Sequence, residues 1–414
     1  MIKKILVIIL AHVAITSYAQ EGTSSPYSFY GIGIPKFKGT VENRSMGGLS
    51  VLGDSIHLNL QNPASYGDLK LTTYAVGTSY RSFKISNANK SSSGDNASLD
   101  YLAIGIPAGK FAFAFGIAPL TSVGYKLNAI ESDNRESQFI GKGGLNKVFL
   151  ATGAKIYKGL SIGLDLNYNF GSIENKAILK RPSLQFDTRE ITNSDLSSFT
   201  MSFGLMYKTM ITEKLELVAS AVSTPSFKLK SNGTREFATI VISNSGRENV
   251  VGRKEIKIDD QGIKLPSEFK FGGGIGQPRK WFMGAEYAHM NAENFTNVLP
   301  GQTDAVYKNA SKYKVGGYYI PRYNSLTSYL SRVVYRAGFR YEETGLTIKG
   351  NSIDEFGMSF GVGLPVGRLF SNVNIGFEYG QRGTTDMGLV KEEFFNVSLS
   401  LSMNDKWFRQ LKFN

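Results

Sequence analysis

The sequence predicts an all-β protein: a 14-stranded antiparallel transmembrane β-barrel whose lumen is plugged by an N-terminal hatch. Three observations carry that prediction: residue-by-residue alternation, the lack of an apolar run long enough for a membrane helix, and a regular exchange of short and long connectors. In the run Val333 to Tyr341, one face carries Val333, Tyr335, Ala337, Phe339 and Tyr341, and the other Val334, Arg336, Gly338 and Arg340. Successive side chains of a strand point to opposite faces, so such a strand meets hydrocarbon on one side and something wet on the other.

The same pattern recurs. Ile162, Leu164, Leu166, Tyr168 and Phe170 oppose Gly163, Asp165, Asn167 and Asn169; Phe111, Phe113, Phe115 and Ile117 oppose Ala112, Ala114, Gly116 and Ala118. Phe356, Met358 and Phe360 oppose Gly357, Ser359 and Gly361, and Phe395, Val397 and Leu399 oppose Asn396, Ser398 and Ser400. Merging such runs predicts strands near 71–84, 97–107, 110–129, 136–157, 159–173, 197–209, 214–231, 263–276, 280–290, 311–319, 332–342, 354–364, 372–382 and 392–403. The connectors around Pro107, Lys158, Glu213 and Pro278 are short, whereas 85–96, 174–196, 232–262 and 291–310 read as long polar loops. Outer-membrane barrels have short periplasmic turns and longer extracellular loops, which predicts that the long segments are extracellular. The segment 320–331 is long for the short-turn side.

The N-terminus reads as an export signal. Lys3 and Lys4 precede an apolar stretch from Ile5 to Ile15, and Ser17-Tyr18-Ala19 fits the small-x-small cleavage rule, giving a signal over 1–19. That stretch is too short to span a bilayer, and no later segment supplies the roughly 20 consecutive apolar residues of a membrane helix. The predicted location is the outer membrane of a Gram-negative bacterium. Gly 45, Tyr 21 and Phe 27 suit one barrel with a small-residue interior and aromatic girdles over 71–414. A soluble sandwich would use shorter strands, around five or six residues.

Residues 20–70 do not alternate. They carry turn-forming residues together with Tyr27, Phe29, Tyr30, Ile32, Ile34, Phe37, Met46, Leu49, Val51 and Leu52, too apolar a set for a disordered tail. A hatch folded into the lumen is the better reading. Asn before Pro also initiates ordinary turns, and the pair Gly47-Gly48 would let backbone pack closely inside the barrel. Asp54 and Arg44 are candidates for a polar latch to the lumen charges Arg336 and Arg340, with solvated charges as the alternative.

The formal net charge of +13, or +11 without Lys3 and Lys4, is scattered over loops and inward positions. No compact basic stripe exists, so no nucleic-acid partner is predicted. Cysteine is absent, which removes disulfides and thiolate sites. His57 and His289 each stand alone beyond the signal, and a zinc site needs three or four convergent ligands, so no metal is predicted. Gly272-Gly273-Gly274 falls inside a strand pattern, and Asp259-Asp260 in a turn. No nucleophile elbow or catalytic constellation is found; the chain reads as a non-enzyme that needs no cofactor.

The stretch NRSMGGLSVLGDSIHLNLQNPASYGDL resembles the N-terminal hatch of the FadL/TodX family of outer-membrane transporters for fatty acids and hydrocarbons, the matching residues being Gly47, Gly48, Asp54, Asn62, Pro63 and Ala64. The resemblance implies a fourteen-stranded barrel plugged by this hatch, gating residues at those positions, and a hydrophobic small-molecule ligand. The acidic site reads Gly53-Asp54-Ser55 here rather than paired acids. The C-terminal half, with LPSEFKFGGGIG, VVYRAGFRYEETGL, FEYGQRGTT and NDKWF, is similar to FadL-like barrels common in Bacteroidota. Some of those transport ligands; others are accessory subunits of type IX secretion or barrel-assembly complexes. Two functions follow as expectations: passive uptake of hydrophobic molecules, or a non-transporting role beside other outer-membrane complex subunits. On the lipid face, Phe339→Arg or Leu164→Arg should destabilise, while Gly338→Ser on the lumen side should be mild.

Overall fold

A computed structural model describes residues 22–130, 134–243, 245–260, 262–292, 295, 305–366 and 371–407. The predicted signal and part of the predicted loop 291–310 lie outside the described residues. Fourteen antiparallel strands close into one barrel. They are β1 (Thr72–Ser86), β2 (Ser91–Ala108), β3 (Phe111–Ile130), β4 (Glu136–Tyr157), β5 (Leu160–Lys180), β6 (Asp187–Met210) and β7 (Glu216–Thr224, continued by Phe227–Ile242). There follow β8 (Glu248–Ile258, Ile263–Leu265 and Ser267–Gln277), β9 (Trp281–Asn291), β10 (Ala305–Tyr307 and Ala310–Tyr319), β11 (Val334–Ile348), β12 (Asn351–Val366), β13 (Ser371–Arg382) and β14 (Lys391–Asp405). β14 pairs with β1 from Lys391↔Ser86 to Asp405↔Thr72, which removes the sheet edges and satisfies the backbone within the bilayer. No helix among the described residues is long and apolar enough to cross a membrane.

The alternation of the sequence becomes the two faces of the wall. Phe111, Phe113, Phe115, Leu166, Tyr168, Phe339, Met358, Phe360, Phe395 and Leu399 are exposed outward, while Ala112, Ala114, Asn169, Ser359, Ser398 and Ser400 are buried toward the lumen. Trp281, Tyr319 and Tyr335 are cross-strand partners in one row at the short-turn end, the place of an interfacial aromatic girdle. An apolar outer belt on a closed, even-stranded barrel marks an outer-membrane protein. Placing Arg at Phe339 should therefore cost about 2–4 kcal/mol near the bilayer midplane, against little for Thr200→Ser on the lumen side. Denaturant unfolding of the refolded protein checks this; equal losses on both faces would reverse the assignment.

Three predicted loops are not loops. Within 85–96, β1 and β2 stay paired as far as Ser86↔Ser91. Within 174–196, β5 and β6 stay paired as far as Leu179↔Thr188; within 232–262, β7 and β8 pair as far as Ile242↔Glu248. The ladder continues there after the regular apolar alternation has ended, and Ile178, Ala238 and Ile240 form a small buried cluster on one face of it. An epitope at Ser231-Asn232-Gly233 would accordingly interrupt β7 rather than decorate a loop. The segment 320–331 is irregular apart from one turn of 3-10 helix, Leu330–Arg332.

Residues 22–71 lie inside the barrel. A 3-10 turn (Pro26–Phe29), a two-residue strand (Ile34–Pro35), a single helical turn α1 (Val41–Arg44) and a second 3-10 turn (Pro63–Asp68) are their regular elements. α1 is fixed by a capping box: the Thr40 hydroxyl accepts from the Asn43 N–H, and Asn43 Oδ1 accepts from the Thr40 N–H. The hatch supplies the bulk that the wall lacks. Val41, Leu58, Leu60, Tyr66 and Leu69 pack on wall residues Ala75, Ala103, Ala112, Ala114 and Ala151, and Met46, Leu49 and Val51 on Met206, Val218 and Phe282.

Candidate functional site

The hatch meets the wall backbone to backbone at two glycine seats. Gly153, Gly163 and Gly204 are cross-strand partners on β4, β5 and β6, and they receive the Asn62-Pro63-Ala64 turn. A Cβ added at Gly163 would lie 2.2 Å from the Pro63 carbonyl carbon and 2.3 Å from the Ala64 nitrogen; one at Gly204 would lie 2.6 Å from Asn62 Oδ1. Asn62 itself is fully buried, and its Oδ1 accepts from the Ala64 N–H at 3.1 Å, so the side chain closes the turn that Pro63 begins. The second seat is the pair Gly316 and Gly338 on β10 and β11, against Met46 and Gly47. Gly47 has φ +68° and donates its N–H to Ser359 Oγ at 2.9 Å; a side chain there would collide with backbone of Val315 and Phe339. Gly48 (φ +81°) offers its carbonyl to Lys314 Nζ at 3.0 Å.

The expectation that Gly338→Ser would be mild is therefore corrected. A Cβ at Gly338 would sit 2.1 Å from the Gly47 nitrogen, and neither backbone can yield as a flexible side chain would.

Polar groups add a second set of ties. Glu286 Oε2 accepts from the Ser50 N–H at 2.7 Å while its Oε1 pairs with Lys314 at 2.7 Å. Asp68 pairs with Lys208 at 2.6 Å and Lys155 at 3.2 Å. Arg44 does not pair with Asp54. It reaches Asp100 and Glu378, each at 3.5 Å, and Glu378 also holds Arg340 at 2.8 Å. The hatch arginine and the wall arginine thus share one carboxylate, with Glu355 a further partner of Arg340 at 2.5 Å. Arg336 donates to Asn374 Oδ1 at 3.1 Å, and Asn374 in turn donates to Glu42 Oε1 on α1 at 2.8 Å.

Asp54 closes a local turn instead. Its Oδ2 lies 2.6 Å from His57 Nδ1 and its Oδ1 accepts from the Ile56 N–H at 3.3 Å. Burial alone would raise the Asp54 carboxyl, but the adjacent His57 imidazole, Lys208 and the Ser55 N–H outweigh it and hold the group well below the usual carboxylate range. For His57, burial pulls downward and Asp54 more than compensates, so the imidazole is raised. His57 Nε2 stands 3.1 Å from Asn372 Nδ2 on β13, so the ring links hatch to wall. Among the described residues no group of three or more His, Asp or Glu is arranged to hold a metal ion.

Above the hatch lies a chamber of about 420 Å3, within the roughly 300–1,000 Å3 of small-molecule sites. Part of its lining is apolar: Tyr30, Ile32, Phe37, Leu120, Phe227, Leu265, Phe295, Tyr307 and Leu346. The rest includes ten cations (Lys36, Lys38, Arg44, Arg81, Lys147, Lys270, Lys312, Lys314, Arg340, Arg382) and six carboxylates (Asp100, Asp165, Glu268, Glu342, Glu355, Glu378), an excess of four positive charges that falls to two when Glu286 and Glu392, the buried partners of Lys314 and Arg81, are counted. Burial pushes the Lys36 ammonium down to about 8, with Asp100 opposing. Lys147 is buried beneath this surface, its Nζ 5.3 Å from the Phe149 ring.

One wall of the chamber is incomplete as barrel. β2 and β3 pair only from Leu102↔Ile117 to Ala108↔Phe111; beyond Ile117 the edge of β3 that faces β2 is left to the hatch. Ile34 pairs with Ser122 and Pro35 with Thr121, the Lys36 N–H donates to the Leu120 carbonyl at 2.9 Å, and Ser28 Oγ exchanges hydrogen bonds with Gly124. The N-terminal segment stands where β2 would continue. Sequence reasoning missed this gap. Its signal was Pro119 inside a strand pattern, where a residue without N–H marks a bulge or an edge, and the ladder with β4 does shift between Pro119 and Thr121.

Comparisons with solved structures agree on this architecture. The toluene transporter TodX of Pseudomonas putida is 14% identical, with a TM-score of 0.61 over 90% of this chain and 100% of its own. A FadL homologue of Pseudomonas aeruginosa is 13% identical, with a TM-score of 0.60 over 89% and 98%. The monoaromatic hydrocarbon channel CymD is 13% identical, with a TM-score of 0.59 over 91% and 98%. At such identities the likeness establishes the fold. Comparison with curated proteins found no match. The family model BamG matches residues 1–414. This hatch-bearing outer-membrane barrel belongs to the BamG family.

Proposed function

We propose that the chain is a passive outer-membrane channel for hydrophobic small molecules that carry an anionic group. The observation behind this is the chamber: lined by apolar side chains together with an excess of cations, and bordered by a wall gap that the N-terminal segment fills. Relatives of this fold named as toluene or monoaromatic hydrocarbon channels support the apolar half of the reading. A ligand lays its hydrocarbon against residues such as Ile32 and Leu120 and its anion toward the cations. Release of residues 28–36 from the β3 edge opens a lateral exit, and movement of Asn62-Pro63-Ala64 on its glycine seat opens a periplasmic one. Gly47, Gly48, Asp54 and the Arg44–Glu378–Arg340 bridge hold the closed state.

Displacement of a fluorescent fatty acid from the detergent-solubilised protein tests the reading. A medium-chain carboxylate should compete and the alcohol of equal length should not, and Lys147→Gln should weaken the carboxylate about tenfold, since hydrogen bonds to charged groups contribute about 1.5–3 kcal/mol. Equal competition by acid and alcohol, or none by either, would overturn it.

The reading orients the short turns toward the periplasm. An epitope inserted between Ser245 and Gly246, at the β7–β8 tip, should be labelled on intact cells; labelling only after permeabilisation would invert the topology.

A second reading, a subunit of an outer-membrane machine, is favoured by one feature. Among the described residues the β8 segment Glu248–Ile258 pairs with β7 alone and is exposed from Asn249 to Lys257, and an unpaired strand edge is a ready template for a partner's strand. The family designation BamG is in keeping with a barrel-assembly role. Recovery of a stoichiometric partner from mild detergent, with no ligand competition in the assay above, would favour this reading over transport.

A further inference from the structure

We propose that the irregular segment 320–333 and the facing turn 277–281 form an interfacial site for the phosphate of an anionic phospholipid headgroup. A groove of about 580 Å3 separates Pro278 and Arg279 from the stretch Arg322 to Thr327. Four cations stand on these two connectors, Arg279, Lys280, Arg322 and Arg332, and neither connector contains Asp or Glu. None of the four belongs to an ion pair among the described residues, and Arg332 Nε is buried without a hydrogen-bond partner. Arg279 adopts φ +62°, a region that non-glycine residues seldom occupy, and its guanidinium lies over the Tyr323 ring at 5.4 Å. That backbone turn holds its donors at the groove.

The position selects a lipid over a soluble anion. The segment begins just past the aromatic row Trp281, Tyr319 and Tyr335 that marks the edge of the bilayer. The hydroxyl of Tyr335, a lipid-facing residue, donates to the Leu330 carbonyl at 3.3 Å, and Tyr329 donates to the Pro365 carbonyl at 3.1 Å, so the segment is tied to the outer rim of the barrel. Leu326 is 99% and Leu330 67% exposed. Leucines beside unpaired cations at this height match a headgroup region, where hydrocarbon lies below and phosphate beside. Dissolved phosphate would leave both leucines in water. The site rests on the membrane-spanning belt alone, so it stands or falls separately from what the lumen carries.

Native mass spectrometry of the full chain, extracted from nanodiscs of mixed phosphatidylglycerol and phosphatidylcholine, tests the proposal. The parent protein should retain phosphatidylglycerol in preference. Arg279→Gln with Arg322→Gln should lower that preference by roughly fivefold per cation removed, while Arg279→Lys with Arg322→Lys, which keeps the charge, should preserve most of it. Heat-modifiable migration confirms that each variant is folded. Equal retention of the two lipids by the parent, or no change in the folded Gln variant, would overturn the proposal. Displacement of phosphatidylglycerol by inorganic phosphate would reduce the site to a general anion site and overturn it equally.

Discussion

Deletion of residues 22–69 is expected to turn a closed barrel into a wide, steady pore. The hatch fills the lumen with Val41, Met46, Leu49, Leu58, Leu60, Tyr66 and Leu69, and the wall opposite offers mostly alanine, glycine and small polar residues that cannot meet across the gap. Large barrels without a plug enclose water. Planar-bilayer recordings should show large conductance for the deletion variant and little for the intact protein. Pro63→Gly should give occasional openings, because it loosens the turn that seats Asn62 and Ala64 against β4, β5 and β6. A deletion variant that is folded by heat-modifiable migration and as closed as the parent would remove the hatch from any gating scheme.

The second large effect is expected at the glycine seats. Gly163→Val or Gly338→Val would drive a side chain into hatch backbone at 2.2 Å and 2.1 Å respectively. Overpacking of this kind costs about 1–3 kcal/mol. The wall is held by continuous ladders on both sides of each glycine, whereas the hatch is held by short turns and side-chain ties, so the hatch should be the part that moves. Both variants should show channel openings and faster proteolysis within 22–69. Gly252→Val is the control: nothing lies within 4 Å of a Cβ there, and φ is ordinary. Its behaviour should match the parent's. If Gly163→Val is equally silent, the seat is not a constraint on the hatch.

The barrel was legible in the sequence because a bilayer imposes one rule on every residue that faces it. Phe111, Phe113 and Phe115 alternate with Ala112, Ala114 and Gly116 wherever the wall is wet on one side only, and period two needs no knowledge of the neighbouring strand. For the same reason the reading ended at the membrane surface. Beyond Ile173 on β5 and Ser231 on β7 the regular apolar alternation gives way to mixed charged and apolar residues, and the continued pairing of Ile178 with Arg189 or Ile240 with Val250, around a small buried cluster of Ile178, Ala238 and Ile240, leaves no regular one-dimensional trace.

The candidate site was legible only as its hatch half. Gly47-Gly48 and Asn62-Pro63-Ala64 are local signals: positive φ, a turn and its cap are properties of adjacent residues. Their receptors are not local. Gly153, Gly163 and Gly204 become one seat only when three strands are set in register, and the same register brings Glu378 between Arg44 and Arg340. Asp54 illustrates the limit. Its charge suggested a long-range latch, yet His57, three residues away, lies within 2.6 Å.

By itself, then, the sequence determined the strand count, the two faces of the wall and the existence of an apolar plug, because alternation and turn chemistry act over a few residues. Only the tertiary structure decided where the plug touches, which charges pair, and that β3 completes its ladder with the N-terminal segment instead of β2. Those outcomes depend on strand register and on contacts between residues far apart in the chain, such as Ser25 with Glu392 and Gly47 with Ser359, and no local pattern encodes them.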